Sequence, residues 1–172
     1  VAKCKDRAQL EEALRVAAEY DTKIIIERAV TGREFECAVL GNETIEASIP
    51  CEILPSREFY DYEDKYLEDG AQLLIPAPLP ADKADEVRAL AVRCFEALRC
   101  DGLARVDFFY EEAGRGLLLN EINTMPGFTP ISMYPRLWGI SGVPYAELLD
   151  RLIDLAIARN ARRAVRAGRT RA

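Results

Sequence analysis

Gly102-Leu103-Ala104-Arg105-Val106-Asp107-Phe108-Phe109-Tyr110 is followed, across the turn signal Ala113-Gly114-Arg115-Gly116, by Leu117-Leu118-Leu119-Asn120-Glu121-Ile122-Asn123. Both runs are short, apolar and bounded by turn residues, which predicts two strands, Ala104–Tyr110 and Leu117–Ile122. Side chains alternate along a strand, so Arg105 and Asp107 point one way, and so do Glu121 and Asn123. If the two strands pair, an arginine, two carboxylates and an amide share one patch. Oxygen donors of this kind suit Mg²⁺, which keeps several waters and takes further oxygens from phosphates. Arg105 beside them is suited to charge building up on a transferred phosphoryl group. The rival reading is a solvated strand face with an incidental ion pair. Against it, four polar groups inside otherwise apolar strands are costly unless they bind something.

Working outward, Asp6–Tyr20 reads as a helix capped by Asp6, with Leu10, Leu14 and Ala17 on one face. Lys23–Arg28 reads as a short buried strand. Glu34–Leu40 alternates with Phe35, Cys37 and Val39 on one side; Gly41-Asn42 is a turn signal, and Thr44–Ile49 returns as a strand. Gln72–Ile75 reads as another strand. Ala81–Leu98 carries a helical stripe of Val87, Leu90, Ala91, Cys94, Phe95 and Leu98, and Tyr145–Ala158 is a second amphipathic helix. Between them, 55–70 is a loop crowded with Tyr60, Asp61, Tyr62, Asp64, Lys65 and Tyr66, a composition that points to function. The mixed order predicts an α+β fold, a largely antiparallel sheet flanked by helices.

Composition narrows the classes. A chain of 172 residues, 49% of them hydrophobic, is long enough for a real core. No run approaches a membrane span and no leader opens the sequence, so a cytoplasmic protein without membrane insertion is expected. The net charge of −6 includes six arginines in 159–172, so the body is strongly acidic and no nucleic-acid groove is expected. The arginine tail reads as a solvated, disordered end. Five cysteines without a Cys-x-x-Cys spacing, and no histidine, exclude the usual zinc sites and read as reduced, packed thiols.

Gly102–Asp107 with Asn120-Glu121-Ile122-Asn123-Thr124-Met125-Pro126-Gly127-Phe128-Thr129 resembles the metal-binding signature of D-alanine–D-alanine ligases. Phe59-Tyr60-Asp61-Tyr62-Glu63-Asp64-Lys65-Tyr66 resembles their mobile active-site loop, and the resemblance runs in order from Val1 to about Ala158. It implies the C-terminal lobe of an ATP-grasp enzyme: 1–30 as the end of the central lobe, 31–158 as the C-terminal lobe with its mobile loop at 55–70, and 159–172 as a basic tail. The implied cofactors are ATP and two Mg²⁺ (or Mn²⁺) ions, with Asp107, Glu121 and Asn123 as metal ligands and Glu121 bridging. Glu27 and the backbone of Arg28, Ala29 and Val30 would recognise adenine, and Glu34 the ribose. Phe59, Phe109, Asn120 and Glu121 complete the nucleotide set, although Phe109 reads equally well as core. Arg105 would steady the acyl phosphate, Lys65 and Tyr66 would close over the phosphates, and Ser132, Met133 and Gly127 would receive the second amino acid.

The activity so implied is ATP-dependent joining of two D-alanines through an acyl phosphate, for cell-wall synthesis, by a homodimer. D-lactate or D-serine as second substrate, or a nucleotide-binding module without catalysis, are the alternatives. The family's N-terminal substrate domain, phosphate-binding lysine and Ser/Gly-rich loop have no counterpart here, so the chain is expected to be the C-terminal part of such an enzyme and inactive alone.

Overall fold

The computed structural model describes residues 1–54, 72–129 and 131–169, so the predicted 55–70 loop lies outside the described residues. The chain forms two units, Val1–Thr31 and Gly32–Ala172.

In the first unit, α1 (Arg7–Ala18) starts where the sequence places it. The Asp6 carboxylate accepts the Gln9 N–H at 2.9 Å, satisfying one of the donors that every helix start leaves over. Leu10, Leu14 and Ala17 are partly buried, but no residue of the helix is fully so. The predicted strand Lys23–Arg28 does not form, and Ile25 and Ile26 are 78% and 63% exposed. A strand exists only by pairing its backbone with a neighbour, and no described residue of this unit offers one.

Among the described residues, the second unit forms a six-stranded, wholly antiparallel sheet flanked by helices. Its strands are β1 (Arg33–Gly41), β2 (Ile45–Ala47), β3 (Cys51–Leu54), β4 (Gln72–Leu74), β5 (Gly102–Glu111) and β6 (Gly116–Asn123), in the order β4-β3-β1-β5-β6, with β2 also on β1. The return strand expected over Thr44–Ile49 forms only over Ile45–Ala47, and β3 follows it as a strand the sequence did not predict. β2 pairs with Val39–Gly41; the Ser48 hydroxyl then takes the Ala38 N–H at 3.0 Å, Pro50 intervenes, and β3 pairs with Glu34–Glu36 instead. Proline has no ladder donor, so the chain changes partners there. Gly41 sits at φ +144°, where an added Cβ would meet the Thr44 carbonyl, so the tight turn needs glycine.

Because β1 is covered on both faces, its two alternating sets enter different cores. Phe35, Cys37 and Val39 pack with Val106, Phe108 and helix α2 (Ala81–Ala97), which buries Val87, Ala91, Cys94 and Phe95. Leu98 ends that predicted stripe outside the helix and exposed. Ala38 and Leu40 pack instead with α3 (Met133–Ile140) and α4 (Tyr145–Arg169). The sequence reading missed α3, and it ended α4 too early. The arginines at 159 and 162 continue α4 rather than begin a disordered end: Arg159 reaches Asp101 at 2.8 Å and Arg162 reaches Glu43 at 2.8 Å. All five cysteines are free, as expected, and burial pushes the Cys37 thiol up to about 12, where it is inert to oxidants.

Candidate active site

The register of β1, β5 and β6 sets out the site row by row. Glu36, Asp107 and Glu121 lie side by side across the three strands; Ala38, Arg105 and Asn123 form the next row, and Glu34, Phe109 and Leu118 the row on the other side. All nine share one face of the sheet, since they alternate with the residues of the α2 core. Asp107, Glu121, Asn123 and Arg105 therefore converge as their spacing predicts.

The pairing slips once. Asp107 opposes Glu121 but Phe108 opposes Leu119, which leaves Asn120 as the extra residue of a β-bulge. Bulges re-aim side chains at the edge of a sheet, and this one sits beside Glu121 on an edge strand.

Arg105 is the anchor. Its Nε and Nη2 donate to the two Asp107 oxygens at 2.8 and 2.7 Å, a bidentate fork, and Nε lies 3.2 Å from Glu36 Oε1. Burial alone lowers the guanidinium's pKa, but the bonds to Asp107 and the charges of Glu36, Asp107 and Glu121 outweigh it, so it lies above its ordinary value. Glu36 belongs to this cluster and escaped the sequence reading. The available signal was its spacing of two from Glu34, which puts both on one strand face.

Phe109, half-buried, lies on the site face between Glu34 and Leu118 and outside both clusters of buried residues. Glu34 is raised above the usual carboxylate range, first by burial and then by the Asp107 charge. A carboxyl raised by folding contributes stability that is full below its unfolded value and lost as pH rises through the folded one. Glu34→Gln is therefore expected to raise the melting temperature at neutral pH, with the gain vanishing near pH 4. Thermal melts across that range check it; an equal gain at every pH would contradict it.

The segment after β6 is pinned at both ends. Asn123 Oδ1 accepts the Met125 N–H at 3.0 Å, and Ser132 Oγ accepts the Thr129 N–H at 3.0 Å while lying 2.8 Å from Thr129 Oγ1. A Cβ at Gly127 would stand 2.8 Å from Ser132 Oγ, which brings these two predicted substrate residues together. Ser132 stands at the N-cap position of α3 without a side-chain bond into the helix, and the first turn offers the N–H groups of Met133 and Tyr134, Pro135 having none. Met133 buries its side chain in the core, so only its backbone is left to meet a ligand.

Phe59, Lys65 and Tyr66 lie outside the described residues. Glu27, Arg28, Ala29 and Val30 lie in the first unit, in a stretch that forms neither helix nor strand. Among the described residues no three acidic, histidine or cysteine side chains form a preformed metal cage. Two carboxylates and an amide still suit a hard cation that fills its remaining positions with water and phosphate.

The family model described as D-ala D-ala ligase C-terminus matches residues 1–154. The chain belongs to this ligase family. A D-alanine–D-alanine ligase of Solibacter usitatus is 56% identical over 165 residues, 96% of this chain and 51% of the relative. The chain thus spans about half the length of the curated ligases it matches. Among solved structures it resembles the Coxiella burnetii ligase (TM-score 0.84, 36% identity, 99% of this chain and 45% of that one). It also resembles a D-Ala:D-Ser ligase of Enterococcus faecalis (0.77, 37%, 87% and 43%). A Bacillus anthracis ligase solved with ATP matches too (0.76, 27%, 92% and 50%). The antiparallel sheet with flanking helices is the C-terminal part of that ATP-grasp ligase fold. Among the described residues, no helix is long and apolar enough to cross a membrane.

Proposed function

We propose that this chain is the part of a D-alanine–D-alanine ligase that holds ATP and the reacting carboxylate. The observation that carries the reading is the row Glu36–Asp107–Glu121 beside Arg105 and Asn123, in a chain of this family. Asp107, Glu121 and Asn123 would hold Mg²⁺, which when bound supplies positive charge beside the phosphates. Arg105, fixed by two carboxylates, presents a preorganised cation to the phosphoryl group as it moves to the carboxylate of the first D-alanine. Phe109 offers a flat face to adenine and Glu34 two acceptors to the ribose hydroxyls; the role of Glu27 and the backbone of 28–30 toward the base edge is the one the family resemblance implies. Asn120 completes the nucleotide set from the bulge. The family resemblance assigns Phe59, Lys65 and Tyr66, which lie outside the described residues, to the phosphates and to keeping water from the acyl phosphate.

The second amino acid is assigned to Ser132, Gly127 and the start of α3, where helix N–H groups favour a carboxylate. Its amine attacks the acyl phosphate, phosphate leaves, and the dipeptide forms. D-alanine is the expected nucleophile because the relative at 56% identity bears that name. D-serine is the second reading, since the ligase named for it is as similar in sequence as the D-alanine ligase of Coxiella burnetii.

The test is phosphate release by the whole protein with ATP and D-alanine, then with D-serine or D-lactate added, and analysis of the products. D-alanyl-D-alanine as the main product supports the assignment; a D-serine product moves it to the second reading, and no phosphate release in any mixture overturns it. In the same assay, Ser132→Ala should raise KM for the second amino acid with little change for the first. The loss of a bond to a charged group is worth about 1–3 kcal/mol, or roughly fivefold to 150-fold in KM. An unchanged KM would remove Ser132 from the site.

A further inference from the structure

We propose that Glu36 is a positioning residue: it holds Arg105 when Asp107 turns from the guanidinium to a divalent cation. The inference rests on the ligase reading above. As the site stands, both Asp107 oxygens are engaged by Arg105, at 2.8 and 2.7 Å. The same carboxylate is the member of the metal set that sits between the other strands, one ladder step from Glu36 and one from Glu121. A cation sharing either oxygen draws that carboxylate's charge away from the arginine and weakens its grip on it.

Arg105 could not tolerate that release alone. Its side chain is only 15% exposed, and a guanidinium taken from water is costly once its counter-charge withdraws. Glu36 removes the difficulty. Its Oε1 stands 3.2 Å from Arg105 Nε and its side chain is 5% exposed, so it stays as a second counter-charge fixed by the strand beneath it. Glu36 is poorly placed to become a ligand itself. It lies on β1, with β5 between it and the Glu121 and Asn123 of β6, and each strand step is about 4.8 Å. The two acids thus divide the work: Asp107 exchanges partners and Glu36 does not.

The experiment uses the whole protein, with Mn²⁺ and ADP as probe, and counts free Mn²⁺ by electron paramagnetic resonance. Glu36→Gln keeps the shape and removes the charge, so Asp107 becomes the one carboxylate among the described residues still paired directly with Arg105 and should bind the cation about tenfold more weakly. Glu36→Asp restores the charge and should recover part of that loss. Through-space loss of one negative charge would also weaken binding, so a second readout separates the two causes. The Arg105 Nε–H resonance should persist when Mg²⁺ and ADP are added to the wild type. It should broaden into exchange with water in Glu36→Gln and return in Glu36→Asp. Wild-type Mn²⁺ binding with an unchanged Glu36→Gln variant overturns this inference and leaves the ligase reading standing. A Glu36→Gln variant that binds Mn²⁺ more weakly but keeps its Nε–H signal also overturns it, in favour of plain electrostatics. Failure of the wild type to bind Mn²⁺ with ADP overturns both.

Discussion

Arg105→Met is expected to cost about 3–5 kcal/mol of stability and to lower ligase turnover by at least about a thousandfold. The first effect follows from burial. Asp107 and Glu36 are 14% and 5% exposed at their side chains, and both face this one guanidinium. Methionine fills similar volume and leaves two like charges facing each other with no cation between them. The second effect follows from the proposed chemistry, because the site loses the positive group that meets the transferring phosphoryl. Arg105→Lys separates the two: a single ammonium keeps much of the stability but cannot reproduce the two-pronged bond, so turnover still falls. Asp107→Asn in the Arg105→Met background should return part of the lost stability, because it removes one of the stranded charges. Urea unfolding and phosphate release measure both effects. Wild-type stability in Arg105→Met would show that the two carboxylates do not depend on Arg105.

Glu121→Gln should behave in the opposite way, leaving stability within about 0.5 kcal/mol while weakening divalent-cation binding by at least about a hundredfold. Glu121 is exposed on an edge strand, so folding loses little. It is nonetheless placed directly opposite Asp107, where an oxygen-seeking ion would need both carboxylates. Mn²⁺ titration with ADP, beside urea unfolding of the same variant, tests this. Cation binding as tight as the wild type's would take Glu121 out of the ligand set. The contrast between the two variants separates the residue that holds the site together from one that serves only the ligand.

Much of this site could be read from spacing because strand geometry is local. Period-two alternation puts Arg105 with Asp107 and Glu121 with Asn123 whatever the rest of the chain does, and a short turn forces the two strands to pair. Glu36 was missed for the converse reason. It reads as one more polar residue on a strand, and only the β1–β5 register, set by contacts far apart in sequence, places it against Asp107 and Arg105. The same limit explains Lys23–Arg28, whose isoleucines look like a buried strand but find no partner in their own unit. It also explains α3, whose eight residues are too few to carry a helical period of their own.

The sequence by itself determined the α+β class, the antiparallel pairing of β5 with β6, the α2 core stripe and the four polar groups of the site, because each depends on side-chain period and turn residues within a short window. Tertiary structure alone decided the rest. The switch from β2 to β3 depends on which part of β1 remains to be paired, and the bulge at Asn120 on how β6 meets β5. The continuation of α4 through Arg169 goes with the acids Asp101 and Glu43, distant in sequence, that receive its arginines. Local rules fix what a residue faces along its own strand or helix; only packing fixes what it meets.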